Sequence, residues 1–323
     1  TVEAADYTVK EAVLEVTADP YQGIYDGKEH TAEITAKTHK FLTYATIYYS
    51  AEKTVDASNY TEMSTKKPTF TEAGIHTIYY YAVCDNFKAV GGSVAVEIKK
   101  APLTVEAPDA ELTYGETPVD MLNRLAEQQK SKNQLKVTGY VGSDSWEDVF
   151  GGSQVTFATD YEQYGKAGTW KLSVKGLTAA DYEVQSVDGT LTVKPKNITF
   201  TWQEETTFTY DGNVHGIEAE VAGKIREDDV KPGSYQGNTG TAAGKYTAVV
   251  TKLTGADAGN YTFDENEVTA QQSFTIEKAD NAFTIQPAIS DWTEGNTPGT
   301  PYAAAKYGNV TFTYSAEENG TYT

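Results

Sequence analysis

Short stretches of the chain alternate their side chains with a period of two residues, which is the pattern of β-strands. In 78–83 both alternating sets are partly apolar, with Ile78, Tyr80 and Ala82 forming one of the two sets. A strand that is apolar on both faces is typical of a sheet packed against a second layer. The sequence therefore predicts an all-β chain built from sandwich strands.

Pairs that contain glycine predict where these strands turn. Gly-Gly occurs at 91–92 and 151–152, and Asp-Gly occurs at 188–189. Glycine accepts the backbone conformations that tight turns need, and Asp-Gly is a strong hairpin signal. We expect a turn at each of these three places.

One segment departs from the strand pattern and predicts a helix. Thr117 can cap a helix, Pro118 suits its first turn, and Asp120 completes a Thr-x-x-Asp arrangement similar to a capping box. Apolar residues then follow at helical spacing, at Met121, Leu122, Leu125 and Ala126. We predict a short amphipathic helix over about 118–130.

Three sequence markers recur in the same order roughly every 90 residues. An opening with Tyr before Asp-Gly or Gly occurs at 24–30, 112–116 and 208–215. An Ala-Gly before a strand-like run occurs at 73–79, 167–172 and 243–249. A closing alternating strand with a short basic end occurs at 94–100, 190–195 and 274–278. Such short joints predict tandem modules in an elongated array, over 13–100, 101–195 and 196–278.

Both ends of the chain are similar to parts of these modules. Residues 4–9 echo 179–184, and residues 310–317 match 45–52. We therefore expect 1–12 to be the remnant of a preceding repeat and 279–323 to be a truncated fourth repeat. Because such a fourth repeat would lack the strands that cover its sheet, we expect it to be the least stable part of the chain.

The Tyr-Asp-Gly at 25–27, the Ala-Gly-Thr at 167–169 and the Asp-Tyr at 181–182 resemble YDG and YGX (MBG-type) repeats and related bacterial Ig-like repeats of large cell-surface proteins. The second module is most similar to the YGX type, and the first and third are similar to the YDG type. The resemblance implies tandem Ig-like β-sandwiches in an extracellular region of a bacterial adhesin or other protein of the cell surface or cell wall. A helix departs from a plain sandwich, so a β-grasp fold is the alternative for the second module.

The charge balance disfavours two classes of partner. The 323 residues include 46 acidic and 26 basic side chains, for a formal net charge of −20. Nucleic acids and anionic membrane surfaces bind clusters of Lys and Arg, and this chain has none. No apolar run approaches the roughly 18 residues of a membrane helix, so we expect no membrane insertion in this segment.

A single cysteine, Cys84, excludes an internal disulfide bond and any cysteine-based zinc site. Its apolar neighbours Ala82 and Val83 continue a strand pattern. We expect Cys84 to be an unpaired thiol that is buried as a small core residue.

The histidines favour structure over catalysis. His30 and His215 occupy the same place in their modules, five residues after the opening Tyr, which favours a structural role in the turn or strand. His39 and His76 form no metal-binding pair by spacing, and the chain has no Gly-x-Ser-x-Gly nucleophile motif. We therefore predict no enzyme, with no catalytic, cofactor-binding or metal-binding residue and no cofactor.

The acidic pairs Glu147-Asp148 and Glu204-Glu205 could be proposed as glycosidase acids, but a solvated acidic loop explains them better in so acidic a chain. Calcium stays open, because 257–260 and 264–267 offer oxygen ligands without the spacing of a dedicated calcium loop.

Tryptophan and tyrosine rings could form a stacking platform for sugars, although small β cores are the simpler explanation. The tryptophans are Trp146, Trp170, Trp202 and Trp292.

Two functions follow from these observations. The first is a non-catalytic structural spacer or stalk of a bacterial surface or adhesin-like protein, whose partners are the neighbouring repeats of the same chain. The alternative is a binding module for an extracellular glycan or a host surface protein. A binding module should carry surface features that the other modules lack, and the predicted helix of the second module is the one such feature in the sequence.

Overall fold

The structure is a computed structural model, which describes residues 12–38, 45–132, 135–291, 293, 296–297 and 299–313. These residues form two compact units. The first comprises 12–112 and 116–193, and the second comprises 113–115 and 194–313. Strands dominate both units, which confirms the all-β prediction.

The first unit begins with a group of strands that we call the first sandwich. Its strands are β1 Ala12–Val13, β2 Glu15–Asp19, β3 Tyr21–Ile24, β4 Glu33–Lys37, β5 Thr46–Ser50, β6 Gly74–Val83, β7 Phe87–Lys88 and β8 Val90–Lys99, with a 3₁₀ turn at Tyr60–Glu62. One sheet has the order β3-β8-β6-β5, and the smaller sheet pairs β2 with β4. The opening strand β3 runs parallel to the closing strand β8, whereas β6 is antiparallel to both of its neighbours.

The core of the first sandwich lies between these sheets and follows the predicted alternation. Ile78, Tyr80 and Ala82 of β6 are buried, whereas the residues between them are only half-buried. They pack with Ile34 or Ala36 from the smaller sheet. A fully buried residue of this size contributes about 1.5–3 kcal/mol, so these facing side chains hold the two layers together.

Gly91 and Gly92 do not form the predicted turn, because both lie inside β8. They pair with Tyr81 and Tyr80 of β6. A Cβ atom at Gly92 would lie 2.5 Å from the phenol oxygen of Tyr80. The glycines therefore leave room for large rings on the opposite strand. A Gly-Gly pair in the sequence does not show whether glycine is needed for this reason or for a turn.

Cys84 follows the last residue of β6 and accepts a backbone hydrogen bond from Phe87 at its carbonyl oxygen. Its side chain packs against the edge of the core but is only half-buried, so the prediction of a buried thiol is wrong. The strand ends one residue too early to carry it between the sheets.

The first unit continues with the second sandwich. Its elements are β9 Ala101–Glu106, β10 Ala110–Thr113, α1 Pro118–Lys132, β11 Lys136–Thr138, α2 Trp146–Phe150, β12 Thr156–Thr159, β13 Gly168–Lys175, β14 Tyr182–Val187 and β15 Gly189–Lys194. One sheet has the order β10-β15-β13-β12 and the other has the order β11-β9-β14. Two sheets make this a sandwich, so the β-grasp alternative is wrong.

Helix α1 confirms the helix prediction, and it packs against β12. Helix α2 was not predicted from the sequence, because it is only five residues long. A capping box starts it, in which the Ser145 side chain accepts from the Asp148 backbone and the Asp148 side chain accepts from the Ser145 backbone. Glu147 and Asp148 thus belong to a helix and not to the predicted acidic loop.

The Gly-Gly at 151–152 forms the predicted turn, just after α2. At the Asp-Gly pair, Asp188 lies between β14 and β15 and Gly189 begins β15, but these two strands belong to different sheets. The chain therefore crosses between layers there and does not form a hairpin. A Cβ atom on Gly189 would lie 2.2 Å from the carbonyl oxygen of Pro108, so this close approach requires glycine.

The second unit contains the third sandwich. Its strands are β16 Lys196–Asn197, β17 Thr199–Trp202, β18 Thr207–Thr209, β19 His215–Gly216, β20 Ala219–Ala222, β21 Lys231–Gln236, β22 Thr239–Gly240, β23 Gly244–Thr254, β24 Tyr261–Thr262 and β25 Gln271–Glu277, with 3₁₀ turns at Ala258–Asn260 and Val268–Ala270. The main sheet has the order β18-β25-β23-β21, and β17 pairs with β20. Phe200 of β17 and Val250 of β23 pack between these layers.

A hairpin ends the described chain, with β26 Phe283–Ala288 antiparallel to β27 Tyr302–Ala305. Every residue of β26 is exposed. The expected low stability of 279–323 stays a prediction. The expected remnant at 1–12 lies almost wholly outside the described residues, as do 314–323.

Candidate functional site

The opening tyrosine of the first sandwich, Tyr25, follows β3 directly. Its backbone N–H donates to the carbonyl oxygen of Lys99 at the end of β8, over 2.8 Å. This bond continues the parallel pairing of the two strands. The phenol ring is therefore held at the end of the sheet, where the chain passes into the second sandwich.

Tyr182 reaches the same place from the second sandwich. Its strand β14 runs parallel to β9, and Tyr182 is the register partner of Ala101, the first residue of β9. The rings of Tyr25 and Tyr182 lie edge to face, with centroids 5.4 Å apart and an interplanar angle of 71°. Such aromatic pairs contribute about 0.5–1.5 kcal/mol beyond the area they bury.

Asp144 binds both phenols. Its Oδ2 atom accepts hydrogen bonds from Tyr25 Oη over 3.2 Å and from Tyr182 Oη over 2.5 Å. Tyr182 Oη in turn accepts from the backbone N–H of Val141 over 2.8 Å. We call this arrangement the Tyr–Asp–Tyr cluster, and in the first unit it connects the first sandwich to the second.

The second unit contains the same cluster again. Asp228 Oδ2 accepts from Tyr114 Oη over 2.8 Å and from Tyr261 Oη over 2.5 Å. Tyr261 Oη accepts from the backbone N–H of Ile225 over 2.8 Å. The rings of Tyr114 and Tyr261 lie edge to face at 5.4 Å and 76°. Two clusters with the same atoms in the same roles indicate one recurring structural device.

A tight turn presents each aspartate. The N–H of Asp144 donates to the carbonyl oxygen of Val141 over 3.0 Å, and the N–H of Asp228 donates to that of Ile225 over 3.2 Å. The residue after the start of the turn has a positive φ in both cases, 57° at Gly142 and 53° at Arg226. The turn is thus the same although glycine occupies this position only once.

The electrostatics keep all four phenols protonated. Burial, assisted by the hydrogen bond to the aspartate, raises the pKa of Tyr25 and of Tyr114 to about 12. The same causes, burial first, raise the pKa of Tyr182 and of Tyr261. The phenols therefore keep their protons at ordinary pH and donate them in the hydrogen bonds to the aspartates.

A second contact connects the same two sandwiches. The backbone N–H of Ala73 donates to Asp181 Oδ1 over 2.7 Å. Lys100 Nζ donates to the carbonyl oxygen of Ala179 over 2.9 Å. Tyr25 and Ala73 belong to the recurring sequence markers, and Asp181 belongs to the Asp-Tyr pair at 181–182 on which the resemblance rests. The sequence analysis singled out these residues, but it did not show that Ala73 bonds to Asp181.

Asp144 and Asp228 were not identified as functional residues from the sequence. The signal available was faint: Val-Gly-Ser-Asp at 141–144 and Ile-Arg-Glu-Asp at 225–228 share only their spacing and their last residue. Each lies 33 to 38 residues before its tyrosine. Without the fold, nothing pairs them with that tyrosine.

His30 and His215 follow equivalent turns, His30 in a β-bridge to Phe70 and His215 at the start of β19. His30 Nε2 lies 2.7 Å from Asp26 Oδ1, and His215 Nε2 lies 2.8 Å from Asp211 Oδ1. The N–H groups of Asn213 and then His215 hold the pKa of Asp211 at about 2. His76 stacks on a phenylalanine ring, whereas His39 lies outside the described residues.

The sequence offered two acidic segments, 257–260 and 264–267, as possible calcium ligands. Carboxylates in both segments accept hydrogen bonds from nearby backbone N–H groups. Asp257 Oδ2 accepts from the backbone N–H of Asp229, and Asp264 Oδ1 accepts from that of Asn266. Glu204 and Glu205 lie in an exposed loop, as predicted. Over the described ranges, no group of three or more His, Cys, Asp or Glu side chains is placed to hold a metal ion. Over the same ranges, no helix has the length and apolar character needed to cross a bilayer.

The tryptophans of the described residues have different local environments. Trp170 and Trp202 are half-buried, and their indole N–H groups donate to the carbonyl oxygens of Lys166 and Thr269. Trp292 lies outside the described residues. Trp146 differs from these, because it lines a cleft of about 940 Å³ between α1 and α2.

No family model and no curated protein sequence matches the chain. Solved structures match it over much of its length at low identity. One is the Bacteroides ovatus protein SGBP-B of the mixed-linkage glucan utilization locus, in complex with a mixed-linkage heptasaccharide, at 12% identity over 88% of this chain and 76% of that chain, with a TM-score of 0.20. The fibronectin(III)-like modules of Clostridium thermocellum CbhA match at 16% identity over 56% of this chain and 94% of theirs, with a TM-score of 0.20. A 1.5-MDa bacterial ice-binding adhesin matches at 14% identity over 83% of this chain and 99% of that chain, with a TM-score of 0.30. Scores this low transfer no function.

Proposed function

We propose that the chain is a non-catalytic stalk region of a bacterial surface or adhesin-like protein, built from repeats of the YDG and YGX (MBG) type. The observation that carries this proposal is the Tyr–Asp–Tyr cluster, which occurs twice with the same atoms in the same roles. A tyrosine that opens one repeat is used to hold a neighbouring repeat. The partners of each repeat are then its neighbours in the chain, and the location is extracellular.

The chemistry of the cluster suits a stalk. In the first unit, the edge-to-face rings fix the distance between the two sandwiches, and the shared carboxylate of Asp144 fixes their rotation, because hydrogen bonds depend strongly on angle. The bonds at Asp181 and Lys100 add two further points of attachment. Several separate attachments resist bending better than a single flexible joint would.

Small-angle X-ray scattering of the 323-residue chain tests the stalk function. A compact globule of this length would have a radius of gyration of about 20 Å, and the proposal requires a clearly larger value. The Asp144→Ala variant is expected to raise the high-angle part of the scattering curve, because loosened sandwiches move independently. Asp85→Ala is the matched control, since Asp85 is an exposed aspartate in a turn of the first sandwich. A radius of about 20 Å for the parent chain would contradict the stalk.

The cleft between α1 and α2 favours a second function, which is ligand binding by the second sandwich. Both helices belong to this sandwich. In the described parts of the other two sandwiches, the only helical segments are 3₁₀ turns of three residues, one in the first sandwich and two in the third. The feature that the sequence predicted for a binding module is thus also the feature that forms the cleft. A stalk repeat does not need it.

A further inference from the structure

We propose that the cleft between α1 and α2 binds a neutral oligosaccharide of hexose units. This inference rests on the second function above and is independent of the stalk. The cleft volume of about 940 Å³ lies within the range of about 300–1,000 Å³ that is usual for ligand sites. The identity of the ligand follows from the chemistry of the two walls and the floor.

The wall from α1 presents polar groups with no net charge. Asn123, Glu127 and Lys130 follow one another at helical spacing, are exposed and line the cleft. Lys130 Nζ and Glu127 Oε1 form an ion pair over 2.9 Å, which balances their charges. Asn123 adds an amide that both donates and accepts hydrogen bonds. An anionic glycan would find no unbalanced cation on this wall, and the net charge of −20 repels it further.

The wall from α2 presents an aromatic ring. Trp146 is half-buried and lines the cleft, and its ring packs against Phe150 with centroids 4.7 Å apart. Phe150 is only 1% exposed and holds the indole in place, while the capping box at Ser145 fixes the start of the helix. One face of a hexose ring consists of C–H groups, which pack on an indole. A held indole beside polar groups therefore fits a sugar ring better than it fits a wholly apolar ligand.

The floor supplies further groups that donate and accept. Gln154 and Thr156 are exposed and line the cleft between the helices. Sugar hydroxyl groups also donate and accept, so amide and hydroxyl side chains complement both roles, whereas an ionised carboxylate such as that of Glu147 in the cleft lining only accepts. The ring on one wall and these groups on the other surfaces are the two requirements for binding a neutral sugar chain.

Isothermal titration calorimetry of the 323-residue chain tests this proposal, with cellohexaose, laminarihexaose and mannohexaose as neutral probes and oligogalacturonate as the anionic probe. We expect at least one neutral hexasaccharide to bind and the anionic probe not to bind. Trp146→Ala should weaken binding by about tenfold, which is the effect of losing one aromatic contact. Trp170→Ala is the matched control for the tryptophan and should change affinity by less than about twofold.

A second pair of variants covers the possibility that Trp146→Ala disturbs α2. Asn123→Ala removes an exposed amide from the cleft wall and should also weaken binding, whereas Arg124→Ala changes the next exposed residue of α1, outside the cleft, and should not. In NMR spectra, the bound hexasaccharide should shift the indole signal of Trp146. Absence of binding by all three neutral probes, tighter binding of oligogalacturonate, or equal affinity of the Asn123 and Arg124 variants would overturn the proposal, and none of these results would affect the stalk function.

Discussion

Removal of the Asp144 carboxylate is the sharpest perturbation of the Tyr–Asp–Tyr cluster. In Asp144→Ala, the phenols of Tyr25 and Tyr182 both lose their acceptor. Tyr182 still accepts from the N–H of Val141, but its ring is then held by one bond fewer. We expect the contact between the first and second sandwiches to open more often, while each sandwich keeps its own core.

The size of the effect follows from the bonds that are lost. A hydrogen bond to a charged group contributes about 1.5–3 kcal/mol. Two such bonds are lost, but Asp144 is half-buried, so water replaces part of their energy. We therefore expect the free energy of local opening to fall by about 2–4 kcal/mol. At about 1.4 kcal/mol per tenfold change, this corresponds to roughly 30- to 700-fold faster exchange of the amide proton of Val141.

Hydrogen exchange followed by NMR measures this effect with a control inside the same molecule. The amide of Ile225 has the equivalent role in the cluster of the second unit, so its exchange rate should not change in Asp144→Ala. Asp228→Ala should reverse the pattern, with faster exchange at Ile225 and an unchanged rate at Val141. The reasoning would be refuted if Val141 changed by less than about threefold, or if both amides changed equally in either variant.

Three further predictions concern pH, backbone geometry and local stability. Because burial raises the pKa of Tyr25 from 10.0 to about 12, the stability that this phenol contributes is complete below pH 10 and is lost as the pH rises through about 12. The difference between the absorbance titrations of the parent chain and of Tyr25→Phe isolates the ionisation of Tyr25, and a midpoint near pH 10 would contradict this prediction. Gly139→Ala should cost more than about 2 kcal/mol in urea unfolding, since its φ is 107° and a Cβ atom would lie 2.7 Å from a carbonyl oxygen, whereas Gly142→Ala, with open space around it, should cost about 1 kcal/mol; equal costs would count against the turn geometry. The amide protons of β26 should exchange faster than that of Val250, which is fully buried in the third sandwich, and equal protection would show that the hairpin belongs to a complete fold.

Most of the fold could be predicted from local patterns because strands and long helices leave periodic signals. The alternation at 78–83 predicted β6 and its buried face correctly. Thr117 and the apolar positions that follow it predicted α1. The failures have a common physical cause. Gly91 and Gly92 make room for tyrosine rings on another strand, and the Asp-Gly at 188–189 lets the chain cross between sheets. In both cases the reason for glycine lies in a distant part of the chain, where a local pattern cannot show it.

The candidate sites were harder to predict because they depend on residues from separate segments. The opening tyrosines were identified as repeat markers, but their acceptors at Asp144 and Asp228 share little sequence around them. The turn can be made with glycine at 142 or with Arg226 in the same conformation, so the sequence varies while the geometry stays the same. The cleft depends on α2, a helix of five residues that is too short for a periodic signal.

The position of the cluster shows that Tyr25 has two roles, because its ring packs against the core of the first sandwich while its phenol reaches the second. Tyr25 bonds through its backbone to β8 of the first sandwich, but its phenol bonds to a turn of the second. The opening tyrosines Tyr25 and Tyr114 make the same contact to an aspartate, whereas the ring of Tyr210 in the third sandwich packs edge to face on Tyr307. A first repeat cut out at its own boundaries would therefore lose the acceptor of its Tyr25 phenol, whereas an isolated second repeat would keep the bond from Tyr182 to Asp144. The stability of a repeat and its attachment to the next are for this reason separate quantities, and substitutions at Asp144 change the second while leaving the buried Ile78 and its neighbours in place.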